Sequence, residues 1–134
     1  MRLLLASLSF LVSAAAFAAS PASAPTVDPV QRLVELSYQD SVPPTDARVT
    51  TARAQLQKAV KLTGEEPMAV VAACVRAARF LFDATKVAVA PVDVLDAVAT
   101  HGQGRPLADT VNRYVEKRRN SASKTHAETM GAMR

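Results

Sequence analysis

Two histidines, one cysteine and a pair of aspartates one turn apart are the residues of this chain best equipped for chemistry. Nucleophilic catalysis needs an exposed nucleophile with a base in hydrogen-bond reach. Cys74 instead sits among Ala72, Ala73 and Val75, where a thiolate is disfavoured and the side chain acts as a small hydrophobe. His101 lies in a glycine-rich turn and His126 in a polar C-terminal stretch. No hydrolase or thiol-enzyme constellation follows from these positions. Asp93, Asp96 and His101 sketch a metal site, with the aspartates at i and i+3 and the histidine at the end of the same segment. The helix dipole explains them more simply, since it favours acids in the first turn and a histidine in the last. No metal and no cofactor is therefore expected. The run from Gly102 to Arg105 before Pro106 invites an anion at a helix N-terminus. It lacks a phosphate-loop spacing and reads as turn chemistry.

Binding is better represented than catalysis. Arg113, Lys117, Arg118, Arg119 and Lys124 form a basic cluster near the C-terminus. Such a cluster is either a solvated helix end or a grip on a polyanion such as nucleic acid, an acidic envelope polymer or lipid headgroups. Tyr114 is its one aromatic neighbour, and its spacing points inward, so no base-stacking platform is indicated. Arg76 and Arg79 are a different case, being two cations about one turn apart on an otherwise apolar segment. Unpartnered arginine heads are costly to bury. They belong either on a solvent strip or against carboxylates such as Glu35, Asp40, Asp96 or, four residues on, Asp83. We expect a strip that borders an interface, because the surrounding alanines would expose flat apolar surface.

The elements that must position these residues are helical. From Pro67 to Thr85 the chain is apolar except for Arg76, Arg79 and Asp83. At helical spacing Met68, Val71, Val75, Ala78 and Phe82 line one side, and Val70, Cys74, Ala77 and Leu81 the adjoining side. A helix apolar over most of its circumference belongs in a core with others laid around it. Before it, Val49, Ala52, Leu56, Ala59 and Val60 make the cleanest amphipathic pattern of the chain, from Ala47 to Leu62. Thr45 is its expected N-cap, with Asp46 favourably placed against the dipole. Gly64 and Pro67 break and restart the chain, which predicts an antiparallel αα-hairpin. A helix from Asp28 as N-cap to about Gln39 precedes this pair, with Gln31 placed as in a capping box. Pro91 opens a fourth helix that ends at Gly102, and Pro106 a fifth in which Leu107, Val111, Tyr114, Val115 and Arg118 share a face. Asp109 and Arg113 are spaced to pair across one turn of it. Residues 87–90 are too short for more than an extended connector.

At the N-terminus Arg2, an apolar run from Leu3 to Val12 and the small-residue site Ala16-Phe17-Ala18 have the pattern of a cleaved secretory signal peptide, residues 1–19. The apolar run is shorter than the roughly 20 residues a spanning helix requires, so no stable transmembrane anchor is expected after cleavage. A linker over 20–27, a helical domain over 28–119 and a flexible tail over 120–134 complete the plan. The net charge of +4 is modest and interspersed, which speaks to solubility rather than to a partner. A single cysteine excludes an internal disulfide scaffold.

The sequence thus predicts an all-α fold, a five-helix bundle built on a central αα-hairpin and exported to the periplasm or beyond. The function expected of it is a non-enzymatic binding or assembly module, acting through a protein partner or self-association at Arg76 and Arg79. The alternative is an envelope polyanion-binding protein that uses the C-terminal basic cluster.

Overall fold

The computed structural model describes residues 26–120 and 125–134. The expected signal peptide, most of the expected linker and Lys124 lie outside the described residues. Within them the chain is all helical: α1 (Pro29–Tyr38), α2 (Ala47–Thr63), α3 (Pro67–Thr85), α4 (Pro91–His101), α5 (Leu107–Arg119) and α6 (His126–Ala132), with no strand among the described residues.

Proline opens α1, α3 and α4, where its missing N–H costs nothing and its fixed φ is already helical. The caps differ in detail from those expected. Asp28 caps α1 by accepting from Val30 N at 3.0 Å. Gln31 does not complete a capping box; its Nε2 reaches across to Val42 O at 2.7 Å and holds the following loop against the helix. The cap of α2 is Asp46 rather than Thr45, with Oδ1 accepting from Arg48 N at 2.8 Å while the Arg48 guanidinium holds the same carboxylate. Helix α4 has no side-chain cap of its own. Ser37 of α1 supplies one from outside, accepting from Val92 N at 3.1 Å while donating to Leu33 O at 2.7 Å.

At the other ends, Gly64 stops α2 in the left-handed conformation at φ 73°, the region that glycine enters without steric cost. Gln39 and Lys86 stop α1 and α3 in the same region, at φ 52° and 59°, without being glycine. At Gly102 the constraint is space, since a Cβ there would lie 2.5 Å from Val98 O.

Helix α4 is the most enclosed element. It touches α1, α2, α3 and α5, and Val94, Leu95, Ala97 and Val98 are all 0% exposed. Around it Leu33, Val34, Val49, Leu56, Val70, Cys74, Leu81, Val111 and Tyr114 close one continuous core. Each buried Val or Leu contributes about 1.5–3 kcal/mol relative to exposure. Helix α3 also touches α1, α2, α4 and α5, through Val70, Cys74, Ala77 and Leu81 and, from the adjoining side, Val71 and Ala78. Met68 and Phe82, expected inward, are 58% and 48% exposed, and Phe80 is 50% exposed. The reason is placement: α1, α2, α4 and α5 pack on the side of α3 that carries Val70, Cys74 and Leu81, which leaves Met68, Phe80 and Phe82 outside their contact.

The C-terminal stretch departs most from expectation. Instead of a flexible tail, residues 126–132 form α6, started by a capping box in which Thr125 and Glu128 satisfy each other's backbone N–H. Seven residues are too few for a stable isolated helix. Packing holds this one, with Thr129 and Met133 buried and Met130 partly so.

Candidate functional site

Two regions of the surface merit a functional reading. The first is polar and lies where α4 meets α2, α5 and α6. Helix α4 is apolar on every side that faces the core, so Asp93 and Asp96 share the remaining strip. Asp96 Oδ1 accepts from Gln55 Nε2 at 3.0 Å, and its Oδ2 lies 2.9 Å from His126 Nε2. The other imidazole nitrogen, Nδ1, lies 3.0 Å from the Tyr114 hydroxyl. Neutral His126 donates to Asp96 and accepts from Tyr114; protonated His126 donates to both, so the chain of bonds survives either state. The bond to Asp96 raises the imidazole above its ordinary value, and the same bond lowers Asp96. Burial raises Asp93, with Asp96 pushing the same way and His126 and Arg118 opposing. Burial and the charge of Asp93 raise the Tyr114 phenol.

A cleft of about 320 Å³ opens on this cluster, lined by Tyr38, Arg48, Gln55, Asp93, Asp96 and His126 among others. Arg48 is engaged by Asp46 at 2.9 Å and Asp40 at 3.6 Å and lies over the Tyr38 ring. Both Asp96 oxygens are taken and Tyr114 is fully buried. What this arrangement does chemically is fasten α6, through His126, to α4 and α5.

Among the described residues no three His, Cys, Asp or Glu side chains come together as metal ligands. Asp93 and Asp96 do share a surface, but the histidine beside them is His126, not the His101 of the sequence sketch. Cys74 is fully buried, and burial pushes its thiol up to about 12. The Gly102–Arg105 segment is a turn, with Arg105 N donating to Gly102 O and Gly104 left-handed at φ 68°.

The basic cluster is split. Arg119 is exposed, Arg113 and Lys117 are half-buried, and Lys124 lies outside the described residues. Arg118 turns inward: its Nη1 is buried without a hydrogen-bond partner among the described residues, and its charge acts on Asp93, Tyr114 and His126. Its position on the Leu107–Val111–Tyr114 face, legible from spacing, accounts for this.

The second region is the outward face of α3. Arg76 and Arg79 are both exposed there, and among the described residues neither is ion-paired with a carboxylate, Asp83 included. Asp109 and Arg113, spaced to pair on α5, are likewise not bridged. An apolar groove of about 550 Å³ runs between α3 and α5, lined by Ala69, Ala73, Ala77, Phe80, Leu107 and Val111, with Glu65 and Arg76 on its rim. On the opposite flank a groove of about 440 Å³ is lined by Leu36, Val75, Ala78, Arg79, Phe82 and Val89. The two arginines therefore stand on a ridge between two apolar troughs.

Sequence reasoning missed the Asp96–His126–Tyr114 chain. The signal available was the Thr125-x-x-Glu128 spacing, which marks a helix start and so a fixed place for His126. No protein-family model matches the chain, and neither a curated protein nor a solved structure matches it.

Proposed function

We propose that this chain is an exported, non-enzymatic binding or assembly module, its bundle organised on the paired α2 and α3, that works through the outward face of α3. The observation that carries the reading is the concentration of exposed apolar side chains there. Of the six large hydrophobic residues exposed among the described residues, Met68, Phe80 and Phe82 are on α3 and Leu36 lines the groove beside it. Scattered exposed hydrophobics need no explanation, but two apolar troughs side by side on one helix, with a charged ridge between them, are a concentration of the kind that marks an interaction surface. Arginine and aromatic residues are also the types enriched at protein interfaces. The polar cluster supports the same reading from the other side, because Asp96, Gln55, His126 and Tyr114 are hydrogen-bonded to one another and hold α6 in place. No helix among the described residues is long and apolar enough to cross a membrane.

A photo-crosslinking residue placed at Phe82 of the full chain in its own cells tests this. A discrete adduct, absent when the same residue replaces Thr50 on the exposed side of α2, is the expected result. Equal labelling at both positions, or none at either, overturns the reading.

The second reading, polyanion binding, is favoured by Lys117, Arg118 and Arg119 in the last turn of α5. With Arg118 engaged inward, its burden falls on Arg113, Lys117, Arg119 and Lys124. Salt-sensitive retention on heparin that drops when Lys117 and Arg119 become alanine would support it.

A further inference from the structure

We infer that the occupant of the α3 face is a second copy of this chain, laid antiparallel so that Arg79 of each copy meets Glu65 and Glu66 of the other. This deepens the binding reading and rests on it.

Glu65 and Glu66 at the start of α3 are exposed, as are Arg76 and Arg79 further along. None of the four is ion-paired among the described residues. Within one chain they are out of reach, since the fourteen positions from Glu65 to Arg79 span about 21 Å at a helical rise. The ridge thus carries acids at Glu65 and Glu66 and bases at Arg76 and Arg79, with Asp83 one turn further on, and a second molecule with the reversed order of charge can neutralise the first two sets. A copy of the same ridge does so when reversed.

The midpoint between Glu65 and Arg79 is Ala72, with Ala69 and Ala73 beside it. A two-fold axis lying in the interface next to Ala72, perpendicular to α3, superposes the acidic end of each copy on the basic part of the other. Small side chains at the crossing point let two helices approach to the lower end of the usual 8–10 Å separation. The same operation lays the α3–α5 groove of one copy on the α3–α5 groove of the other with its ends exchanged. Phe80 then reaches toward the Glu65 and Ala69 end of the facing groove, both ends belonging to one trough. An isologous contact requires this property, a patch complementary to itself under two-fold rotation.

Size is consistent. A helix of 19 residues is about 28 Å long, and with an apolar groove on each flank it offers a patch on the order of the roughly 800 Å² per partner of an ordinary stable interface. Exposed ion pairs add little affinity. They act by selecting the antiparallel register over others, while Met68, Phe80 and Phe82 supply the apolar contact.

The test is sedimentation equilibrium on the purified protein across a wide concentration range, with two charge-reversed variants. One carries Glu65→Arg and Glu66→Arg, the other Arg76→Glu and Arg79→Glu. All four positions are exposed, and a native far-ultraviolet dichroism spectrum with a cooperative melt at a concentration where the wild type is monomeric checks that both variants fold. The wild type should dimerise reversibly, and each variant alone should lose at least roughly tenfold in association, a like-charge penalty of ordinary size. An equimolar mixture should recover the dimer, because the reversed acids of one copy meet the reversed bases of the other. The loss in each variant alone is what selects this register, since a parallel pairing already sets like charges together; recovery shows that the lost association was electrostatic and that both variants remain able to bind. A wild-type dimer unaffected by either variant, or a mixture that stays monomeric, overturns the inference. So does a wild type that is monomeric throughout. In that last case the crosslinking at Phe82 decides the wider reading: an adduct with a different protein leaves the binding surface standing, and no adduct removes both.

Discussion

The polar junction of α4, α5 and α6 and the outward face of α3 use their residues in opposite ways. At the junction Asp96, His126, Tyr114 and Gln55 satisfy one another, and their bonds serve to hold a seven-residue helix in place. On α3 the charges have no ion-pair partners among the described residues and the aromatic rings are half in water. The comparison teaches that the chemically richer cluster is the one more completely consumed by folding. The region with capacity to spare is chemically plain.

The sharpest way to break this contrast is to substitute the enclosed helix and the open one in parallel. Leu95→Ala removes a fully buried side chain from α4 and should cost about 2–5 kcal/mol in urea unfolding. At concentrations where the chain is monomeric, Phe80→Ala on the open face, a side chain only half buried, should cost about 1 kcal/mol or less. Comparable losses at the two sites would mean that the α3 face is part of the folded core.

Next in size is the anchor of α6. His126→Ala leaves Asp96 and Tyr114 each short of a partner, at a cost of roughly 1–3 kcal/mol, toward the lower end because the Asp96 side chain is 37% exposed. Hydrogen exchange should show protection lost first in residues 126–133.

The same bond sets a pH dependence whose sign follows from the two shifts. His126 is raised above 6.5 in the folded protein, so its contribution is complete below that value and lost as pH rises through the folded pKa. Asp96 is lowered below 3.8, so its contribution is complete above that value and lost as pH falls through the folded pKa. Asp93, raised by burial, works between these two limits: its contribution is complete below 3.8 and lost as pH rises through its folded pKa, which tilts the maximum toward the acid side. Lys58, His101 and Arg118 also act on these groups, but none reverses either direction. Thermal melts should therefore be highest between 3.8 and 6.5, and His126→Gln should flatten the alkaline side of that profile.

Smaller effects sharpen the picture. Tyr114→Phe removes one hydroxyl and one bond to His126 and should cost about 0.5–1.5 kcal/mol, with the α5 core intact by near-ultraviolet dichroism. Cys74 should resist maleimide in the folded protein and react only after unfolding, because its thiol is pushed up to about 12 and is fully buried. Labelling at the rate of an exposed thiol would show that α3 opens readily.

Much of the helical pattern was legible in the sequence because its punctuation is local. Pro29, Pro67 and Pro91 open helices and Gly64 closes one, and each acts through its own backbone. The parts that were not legible depend on distant residues. Ser37 caps a helix whose first turn lies 55 positions away, which no local pattern records. Helix α6 is too short to show a period, and its order comes from Met133, Thr129 and His126 meeting α4 and α5. On α3 the spacing identified the inward stripe through Cys74 correctly. It assigned Met68 and Phe82 to the core because apolarity alone does not reveal how many neighbours are available to cover them. Of the two regions, the Arg76 and Arg79 ridge was visible beforehand as a pair of unexplained charges, whereas the junction around Asp96 required the fold.

The left-handed ends of α1 and α3 carry one more implication. Gln39 and Lys86 adopt a backbone that glycine accepts more easily, at a cost of about 1–2 kcal/mol for an ordinary residue. Gln39 lines the trough beside Phe82, and Lys86 N bonds to Phe82 O. Replacing both by glycine would relax the chain, keep the backbone bond to Phe82 and strip the Gln39 side chain from the wall of that trough. On the binding reading proposed above, the sturdier molecule would be the poorer companion, and durability traded against sociability could be read in one pair of substitutions.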